Sequence, residues 1–313
     1  MNVRAPTTAA MLPDPTEPLA YGVVQAHQPV PNAPRLTQAA GVLMNEISVL
    51  DEYGERRAIH IPAERPLTVF VDKRELVTLM TLGACPELLV LGYLCNQRLI
   101  GHVSEIESIT VDWDVSAAAV RTRHGVQDIE ARTARRVVTT GCGQGTVFGD
   151  LMSGLDALRL PGPDSARIRQ STLHGMLEVM RQRNSIHRKA GSVHGCALFR
   201  GAEMLMFVED VGRHNAIDTI AGWMALHGVL GGDKTFYTTG RLTSEMVMKS
   251  AQMGVPIIVS RNGVTAMGHE LATRLGMTLF GRAANRHFLC YTGFERFDSE
   301  PEAQRAPVRV VSG

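Results

Sequence analysis

The sequence has no charge excess of one sign and no long hydrophobic run, and each absence excludes a class of protein. The 32 lysines and arginines nearly balance 31 aspartates and glutamates, so a net charge of +1 offers no general field for nucleic acid or an anionic membrane. No apolar stretch approaches the roughly 20 residues of a membrane-spanning helix. The amino-terminal stretch, MNVRAPTTAAMLPDPTEPLAYG, shows no apolar core of a signal peptide. We therefore expect a cytoplasmic protein with neither nucleic-acid nor membrane partners.

Paired cysteines are also missing. The five cysteines are scattered along the chain, at Cys85, Cys95, Cys142, Cys196 and Cys290. This spacing matches neither a disulfide framework nor a Cys-x-x-Cys zinc site. The zinc pattern of nucleobase deaminases is absent as well, because Ala197 and Leu198 follow Cys196. We expect no bound metal and a reducing compartment, in which each cysteine is either a small core residue or a reactive thiol.

The composition divides the chain into two tails and two folded portions. Residues 1–36 carry seven prolines and few large apolar side chains, which predicts a mobile tail, and residues 294–313 resemble them. Residues 37–137 favour a smaller, β-rich portion. There a β-branched and aromatic run before Asp72-Lys73 predicts a hairpin, and the apolar spacing of CPELLVLGYLCNQRLI predicts a helix.

Residues 138–293 form the second folded portion, which we predict to be a layered α/β domain. Its segment DSARIRQSTLHGMLEVMRQRNSIHRKAG predicts one helix that Gly191 ends. The apolar face of that helix is Ile168, Leu173, Met176, Leu177 and Met180. Strands are then predicted for SVHGCALF, EMLMFVED, KTFYTTG, VPIIVS, MTLFGRA and HFLCYTG, with helices for RHNAIDTIAGWMALHG, TSEMVMKSAQMG and TAMGHELATRLG. This alternation predicts a largely parallel or mixed sheet, and ligands bind such sheets where the strands end.

Polar residues gather at two predicted strand-to-helix junctions. The first, EDVGRHNAID over residues 209–218, places Arg213 beside a helix start, which suits a phosphate or carboxylate. Alternatively, Asp210 and Arg213 pair with each other and His214 packs or caps. The second, TTGRLTSEMVMKS, holds Arg241 in a Gly-Arg turn. Helix capping explains the hydroxyl groups there but does not explain the arginine.

Two further residues are candidates for chemistry. His194 stands two residues before Cys196 on the same face of a predicted strand, where it is either a satisfied core residue or a ligand. Cys142 lies between glycines in TTGCGQGTVFGD, which allow turn conformations and leave a thiol accessible to a partner. A neighbouring cation or helix start would have to lower the pKa of this thiol. On these residues alone, Cys142 is equally a reactive thiol or an inert residue in a turn.

Several motifs follow one another in a distinctive order. They begin with Gly191-Ser-Val-His-Gly-Cys-Ala197, continue with EDVGRHNAID and TTGRLTSEMVMKSAQMGVPIIVSRNGVTAMGHELATRLGMTLFGRA, and end with CYTG. This order resembles that of the formate dehydrogenase accessory sulfurtransferase family, known as FdhD, from about Glu64 to Gly293. The resemblance implies a fold similar to the cytidine deaminase α/β sandwich with a smaller β-rich portion, and often a homodimer.

The resemblance also implies a cytoplasmic sulfurtransferase. Such a protein accepts sulfur from a cysteine desulfurase as a persulfide, here on Cys142. It then passes the sulfur to the molybdenum or tungsten bis(molybdopterin guanine dinucleotide) cofactor of the formate dehydrogenase catalytic subunit. Many members have Cys-Gly-x-Cys-Gly at this point, whereas this chain has Gly145 in place of the second cysteine. Any step that needs a second thiol is therefore in doubt, and a relay through one cysteine stays open.

By the same resemblance, one segment near the carboxyl terminus contacts the cofactor: Arg282, Ala283, Ala284, Asn285, Arg286 and His287. His287 stands where an arginine is expected, and a solvated turn is the alternative. We add as candidate cofactor contacts the junction and strand residues Arg213, His214, Arg241 and His194. Two other functions stay open, a non-covalent chaperone that binds the guanine dinucleotide cofactor and docks it, and a nucleotide-modifying enzyme on a deaminase-like scaffold.

Overall fold

The computed structural model describes residues 21–23, 28–126 and 158–300. Its amino-terminal elements are, in chain order, β1 (Tyr21–Val23), β2 (Arg35–Leu36), β3 (Met44–Leu50), β4 (Arg56–Pro62), β5 (Arg65–Val71), β6 (Arg74–Thr81), α1 (Pro86–Asn96), β7 (Ile106–Asp112) and β8 (Ala117–Thr122). The carboxy-terminal elements are β9 (Ile168–Arg169), α2 (Gln170–Gln182), α3 (Ile186–Ala190), β10 (His194–Arg200), β11 (Glu203–Asp210), α4 (Arg213–His227), β12 (Thr235–Thr238), α5 (Ser244–Gln252), β13 (Ile257–Ser260), α6 (Ala266–Arg274), β14 (Thr278–Ala284), β15 (His287–Thr292) and β16 (Phe297–Asp298).

Five of the amino-terminal strands form a sheet in the order β2-β7-β8-β5-β6, while β3 and β4 form a separate hairpin. The β5–β6 hairpin confirms the predicted turn, since Asp72 and Lys73 have positive φ angles of 47° and 74°. Two such residues match the right-handed twist of the flanking strands. The predicted helix is confirmed as α1. It begins at Pro86, which suits a first helical turn, and its apolar side chains pack on the sheet around Leu67 and Val69.

A seven-stranded mixed sheet organises the carboxy-terminal part, in the order β1-β11-β10-β12-β13-β14-β15. Strands β12, β13 and β14 are parallel, and β10 and β15 are antiparallel to their neighbours. Because successive side chains of a strand point to opposite faces, Ala197 and Phe199 face α2, whereas Cys196 and Leu198 face α4, α5 and α6. The predicted layered α/β fold is confirmed. The specific likeness to cytidine deaminase stays a prediction.

The single helix predicted over residues 164–191 is wrong. Ile168 belongs to β9, which pairs with β16, and α2 begins only at Gln170. The chain then leaves helical geometry at Arg183 and starts α3 after Ser185, whose side chain accepts a hydrogen bond from the Arg188 amide. A serine side chain forms hydrogen bonds with nearby backbone amides. Serine is therefore favoured at the start of a helix and disfavoured in its interior.

Parts of both stretches assigned to tails lie in regular structure. Strand β1 pairs with β11, and β2 pairs with β7. The Val30 amide donates a 2.8 Å hydrogen bond to the Leu226 carbonyl at the end of α4. Past residue 293, the buried Arg296 donates to the carbonyls of Pro161 and Gly276. The edge strand of a sheet has backbone N–H and C=O groups without partners, and short segments such as β1 and β2 form hydrogen bonds with them. The boundary near residue 137 lies outside the described residues.

Helices α1 and α4 join the two parts by packing at two glycines. A Cβ atom on Gly92 would lie 1.7 Å from the Asp218 carbonyl oxygen, and one on Gly222 would lie 2.0 Å from the Leu88 carbonyl oxygen. The backbones of the two helices are therefore in direct contact. Only glycine, which has no side chain, allows helices to approach so closely. None of the helices within residues 28–126 and 158–300 is long and apolar enough to cross a membrane.

Candidate functional site

Most of the predicted site residues meet at one edge of the seven-stranded sheet. Because β10 is antiparallel to both β11 and β12, the carboxyl ends of β11, β12, β13 and β14 share this edge with the first residues of β10 and β15. His194 begins β10, Arg213 follows β11, and Arg241 follows β12. The segment from Arg282 to His287 connects β14 to β15. Residues far apart in sequence thus form a single cationic edge.

Arg213 and His194 lie at the centre of this edge. The Arg213 side chain is 4% exposed and runs beneath the loop after β12, where a Cβ on Gly240 would be 2.7 Å from the Arg213 Cδ. His194 is half-buried. Burial lowers the pKa of His194, and the neighbouring Arg213, His187 and Arg241 lower it further. The arginines make this neighbourhood positive, and so favour an anionic ligand.

His214 follows Arg213 in the chain and belongs to the helical layer beside the sheet. It is buried between α4 and α5, with Nε2 3.2 Å from Oε2 of Glu245. Lys249 forms a buried ion pair there, its Nζ 2.7 Å from Oδ2 of Asp218. Burial, and then the cations Lys249 and Arg213, lower the pKa of His214 to about 2. The neighbours of His214 therefore agree with the packing interpretation rather than with ligand contact.

Asp210 does not pair with Arg213 among the described residues, contrary to one of the interpretations of this motif. Its carboxylate accepts hydrogen bonds from the Gly212 amide, the Asn215 side chain, the Leu82 amide and the Thr81 hydroxyl. Burial raises the pKa of this carboxyl, and these hydrogen bonds oppose the rise. Within the described residues, Asp210 therefore does not neutralise Arg213, whose Nε is buried without a hydrogen-bond partner there.

A cleft of about 310 Å³ opens beside the edge, between α2 and the sheet. Its floor is apolar, with Leu177, Phe207 and Tyr237, and its rim carries Arg183 and Arg261. The predicted cofactor segment contributes to the lining with Ala283, Ala284 and Asn285. The other residues of that segment lie exposed at the β14–β15 turn outside the cleft, namely Arg282, Arg286 and His287. An apolar floor with a cationic rim suits a flat ligand that bears negative charge.

Arg183, Phe207, Tyr237 and Arg261 are among the residues of this cleft that the sequence reasoning missed. Arg261 had a usable signal, since it follows β13 much as the predicted Arg241 follows β12. Phe207 and Tyr237 lie in strands with both faces covered, where apolar residues give no clue to a cleft. Arg183 was assigned to a helix interior, although it stands at the point where α2 ends.

Four of the five cysteines are described, and none resembles a nucleophile. Burial is the main cause that raises the pKa of each thiol, to about 12 for Cys95 and Cys196, to about 11 for Cys290, and well above its ordinary value for Cys85. A thiol with such a pKa stays protonated near neutral pH and is inert in exchange. Cys142 and Gly145 lie outside the described residues.

The fold and the site define a layered α/β protein with a cationic edge along its central sheet. The chain belongs to the FdhD/NarQ family, whose model matches residues 62–298. The proteins of Bacillus subtilis and Bacillus licheniformis named "Sulfur carrier protein FdhD" are each 30% identical to it over 236 residues. Those matches cover 74% of this chain and 88% of each relative.

A solved structure supports the same assignment. The crystal structure of a protein from Desulfotalea psychrophila, described as a formate dehydrogenase accessory protein, is similar to this chain with a TM-score of 0.65 and 25% sequence identity. The match covers 82% of this chain and 99% of the other. The family resemblance drawn from the ordered motifs is confirmed.

Proposed function

We propose that this protein is a sulfur carrier for formate dehydrogenase. In this proposal it takes sulfur from a cysteine desulfurase onto Cys142 and delivers it to the molybdenum or tungsten bis(molybdopterin guanine dinucleotide) cofactor in the cytoplasm. The observation that carries the proposal is the family match over residues 62–298, which includes both Cys142 and the cationic edge. Relatives that match along most of their length are named sulfur carrier proteins.

Cys142 is the thiol assigned to the transfer, and the other cysteines support this choice because burial keeps them protonated. The Cys142 thiolate attacks the outer sulfur of the desulfurase persulfide. A new S–S bond forms on Cys142, the donor's S–S bond breaks, and the desulfurase cysteine leaves as a thiolate, so no net oxidation occurs. The outer sulfur then passes to the metal of the client cofactor. The metal supplies the two electrons that make it a sulfido ligand, and Cys142 returns as a thiolate.

The cationic edge is assigned to the anionic part of the same cofactor. Each guanine dinucleotide carries a diphosphate, which guanidinium groups bind through paired hydrogen bonds. Arg213, Arg241 and His194 lie at the strand ends, while Arg282 and Arg286 are exposed on the neighbouring turn. In this arrangement the edge holds the cofactor by its nucleotide and leaves the metal end free for the persulfide.

A direct test follows the sulfur atom. After incubation with a cysteine desulfurase and cysteine, mass spectrometry of the protein is expected to show one added sulfur on Cys142. Cys142→Ala is expected to lose this mass and the activation of formate dehydrogenase, whereas the control Cys95→Ala, in α1, keeps both. The homodimer that the resemblance implies is part of the proposal and is checked by sedimentation.

A non-covalent chaperone is the second candidate, and Gly145 favours it because the second thiol of many relatives is absent here. The two functions differ in what Cys142→Ala does. If that variant binds GDP normally and still activates formate dehydrogenase fully, the protein docks the cofactor without carrying sulfur. If it binds GDP normally and activation is lost, the persulfide function stands.

A further inference from the structure

Arg183 occupies an unusual position in the cleft. It lies in the short connection between α2 and α3, and its guanidinium carbon is 4.1 Å from the centre of the Phe207 ring. This stacking holds the planar group against the cleft floor. In α3, which follows this connection, the Arg188 guanidinium donates a 3.2 Å hydrogen bond to the Arg181 carbonyl, so a second cation is kept at the rim.

The Arg183 guanidinium is partly desolvated, and two of its donor atoms lack a hydrogen-bond partner among the described residues. Its Nε and Nη2 atoms are buried and have no hydrogen-bond partner within residues 28–126 and 158–300. Burial lowers the pKa of Arg183, although the nearby Glu209 carboxylate acts in the opposite direction. That carboxylate is already engaged, because it accepts hydrogen bonds from the amides of Ile186 at 2.6 Å and His187 at 3.0 Å.

Buried donors without partners cost free energy, and a bound acceptor would remove that cost. One face of the guanidinium is taken by Phe207, so its free donors point from the edge of the plane. Two N–H groups in a planar fork match the paired oxygens of a phosphate better than they match a neutral base. His187 and Arg261 line the same cleft.

Building on the proposed function, we propose that Arg183 is a ligand-binding residue that receives a phosphate of a guanine nucleotide in the cleft. Phe207 positions the guanidinium, and the apolar floor beside it accepts the flat part of the ligand. This assignment adds a residue from the α2–α3 connection to an edge that otherwise consists of strand ends. In this assignment the cleft recognises the phosphates of the nucleotide as well as its base.

The test compares three probes on the full chain by calorimetry: GDP, guanosine and inorganic pyrophosphate. Arg183→Leu is expected to weaken GDP binding at least about tenfold, the size of a lost charge-assisted hydrogen bond, and to leave guanosine binding unchanged. Arg183→Lys is expected to bind GDP with intermediate affinity, because an ammonium keeps the charge but not the planar fork. Arg121→Leu, an exposed arginine on the other sheet, is the control and is expected to bind GDP like the parent protein.

Three results would overturn the assignment. Equal losses for GDP and guanosine would show that Arg183 holds the base, and pyrophosphate binding as tight as GDP binding would show that the site takes free phosphate. An unchanged GDP affinity in both Arg183 variants would show that Arg183 holds no part of the ligand, and Arg183→Lys decides alone if the leucine variant does not fold. The proposed function is judged separately by the persulfide on Cys142, which these variants leave in place.

Discussion

Thr81 and Asp210 connect the two sheets of this protein: the Thr81 hydroxyl at the end of β6 donates a 2.5 Å hydrogen bond to the Asp210 carboxylate at the end of β11. Asp210 is 3% exposed and directly precedes the turn that leads to Arg213. The same carboxylate therefore ties the amino-terminal sheet to the cationic edge. Asp210 belongs to the EDVGRHNAID motif, and its carboxylate holds the fold together through these hydrogen bonds.

Replacing this carboxylate with an amide should destabilise the fold. In Asp210→Asn the amide NH₂ must face a backbone N–H, that of Gly212 on one side or of Leu82 on the other. We expect the free energy of unfolding to fall by about 1–3 kcal/mol, measured by urea denaturation. The exposed Asp114→Asn is the control and is expected to change it by less than about 0.5 kcal/mol. Equal stability of the two variants would contradict this account.

The glycine contact between α1 and α4 should tolerate no side chain. In Gly92→Ala the new methyl group would meet the Asp218 carbonyl oxygen, which cannot move without shifting α4. Overpacking of this kind costs about 1–3 kcal/mol or more, so we expect a lower unfolding midpoint. Gly162→Ala adds the same methyl group where nothing lies within 4 Å, and its midpoint should not fall. A normal midpoint for Gly92→Ala would mean that the helices are further apart than described.

Stability should fall in mild acid because of His214. Its pKa is about 2 in the folded protein, so the folded state stays unprotonated at pH values where the unfolded chain, with an ordinary histidine pKa near 6.5, takes up a proton. The unfolded state then binds more protons, and stability is lost as the pH falls below about 6.5, by up to about 1.4 kcal/mol for each pH unit.

Urea denaturation at several pH values measures this effect. We expect His214→Gln to show a shallower loss in acid than the parent protein, because one titrating group has been removed. His269→Gln, on the exposed side of α6, serves as the control and should keep the parent slope. Identical slopes in all three proteins would show that His214 does not contribute.

Thiol labelling should separate Cys142 from the other cysteines. The pKa of Cys95 and of Cys196 is about 12, which leaves roughly a thousandfold less thiolate than an ordinary cysteine has near neutral pH. We expect iodoacetamide to modify Cys142 first in the folded protein and all five cysteines in urea, as read by peptide mass spectrometry. Early labelling of a buried cysteine would contradict the burial that the structure describes.

Much of the fold could be predicted from local patterns. The Asp72-Lys73 turn, the α1 helix and the alternating strands and helices after residue 192 are confirmed because each depends on neighbouring residues alone. The helix predicted through Arg183 was wrong for the opposite reason. Its end depends on Ser185 as a cap and on the distant Glu209, which accepts hydrogen bonds from the first amides of α3.

For the candidate site, too, some features follow from the sequence and others only from the tertiary structure. The sequence by itself determined the family, the order of the motifs and the chemical character of the edge, because these depend on residue types and their spacing. Only the tertiary structure decided that Arg213 runs beneath the loop after β12 while the adjacent His214 packs between α4 and α5. It also decided that Arg183 and Phe207 share a cleft. Such contacts join segments far apart in the chain, and they follow from how strands pair and helices pack, which local patterns do not record.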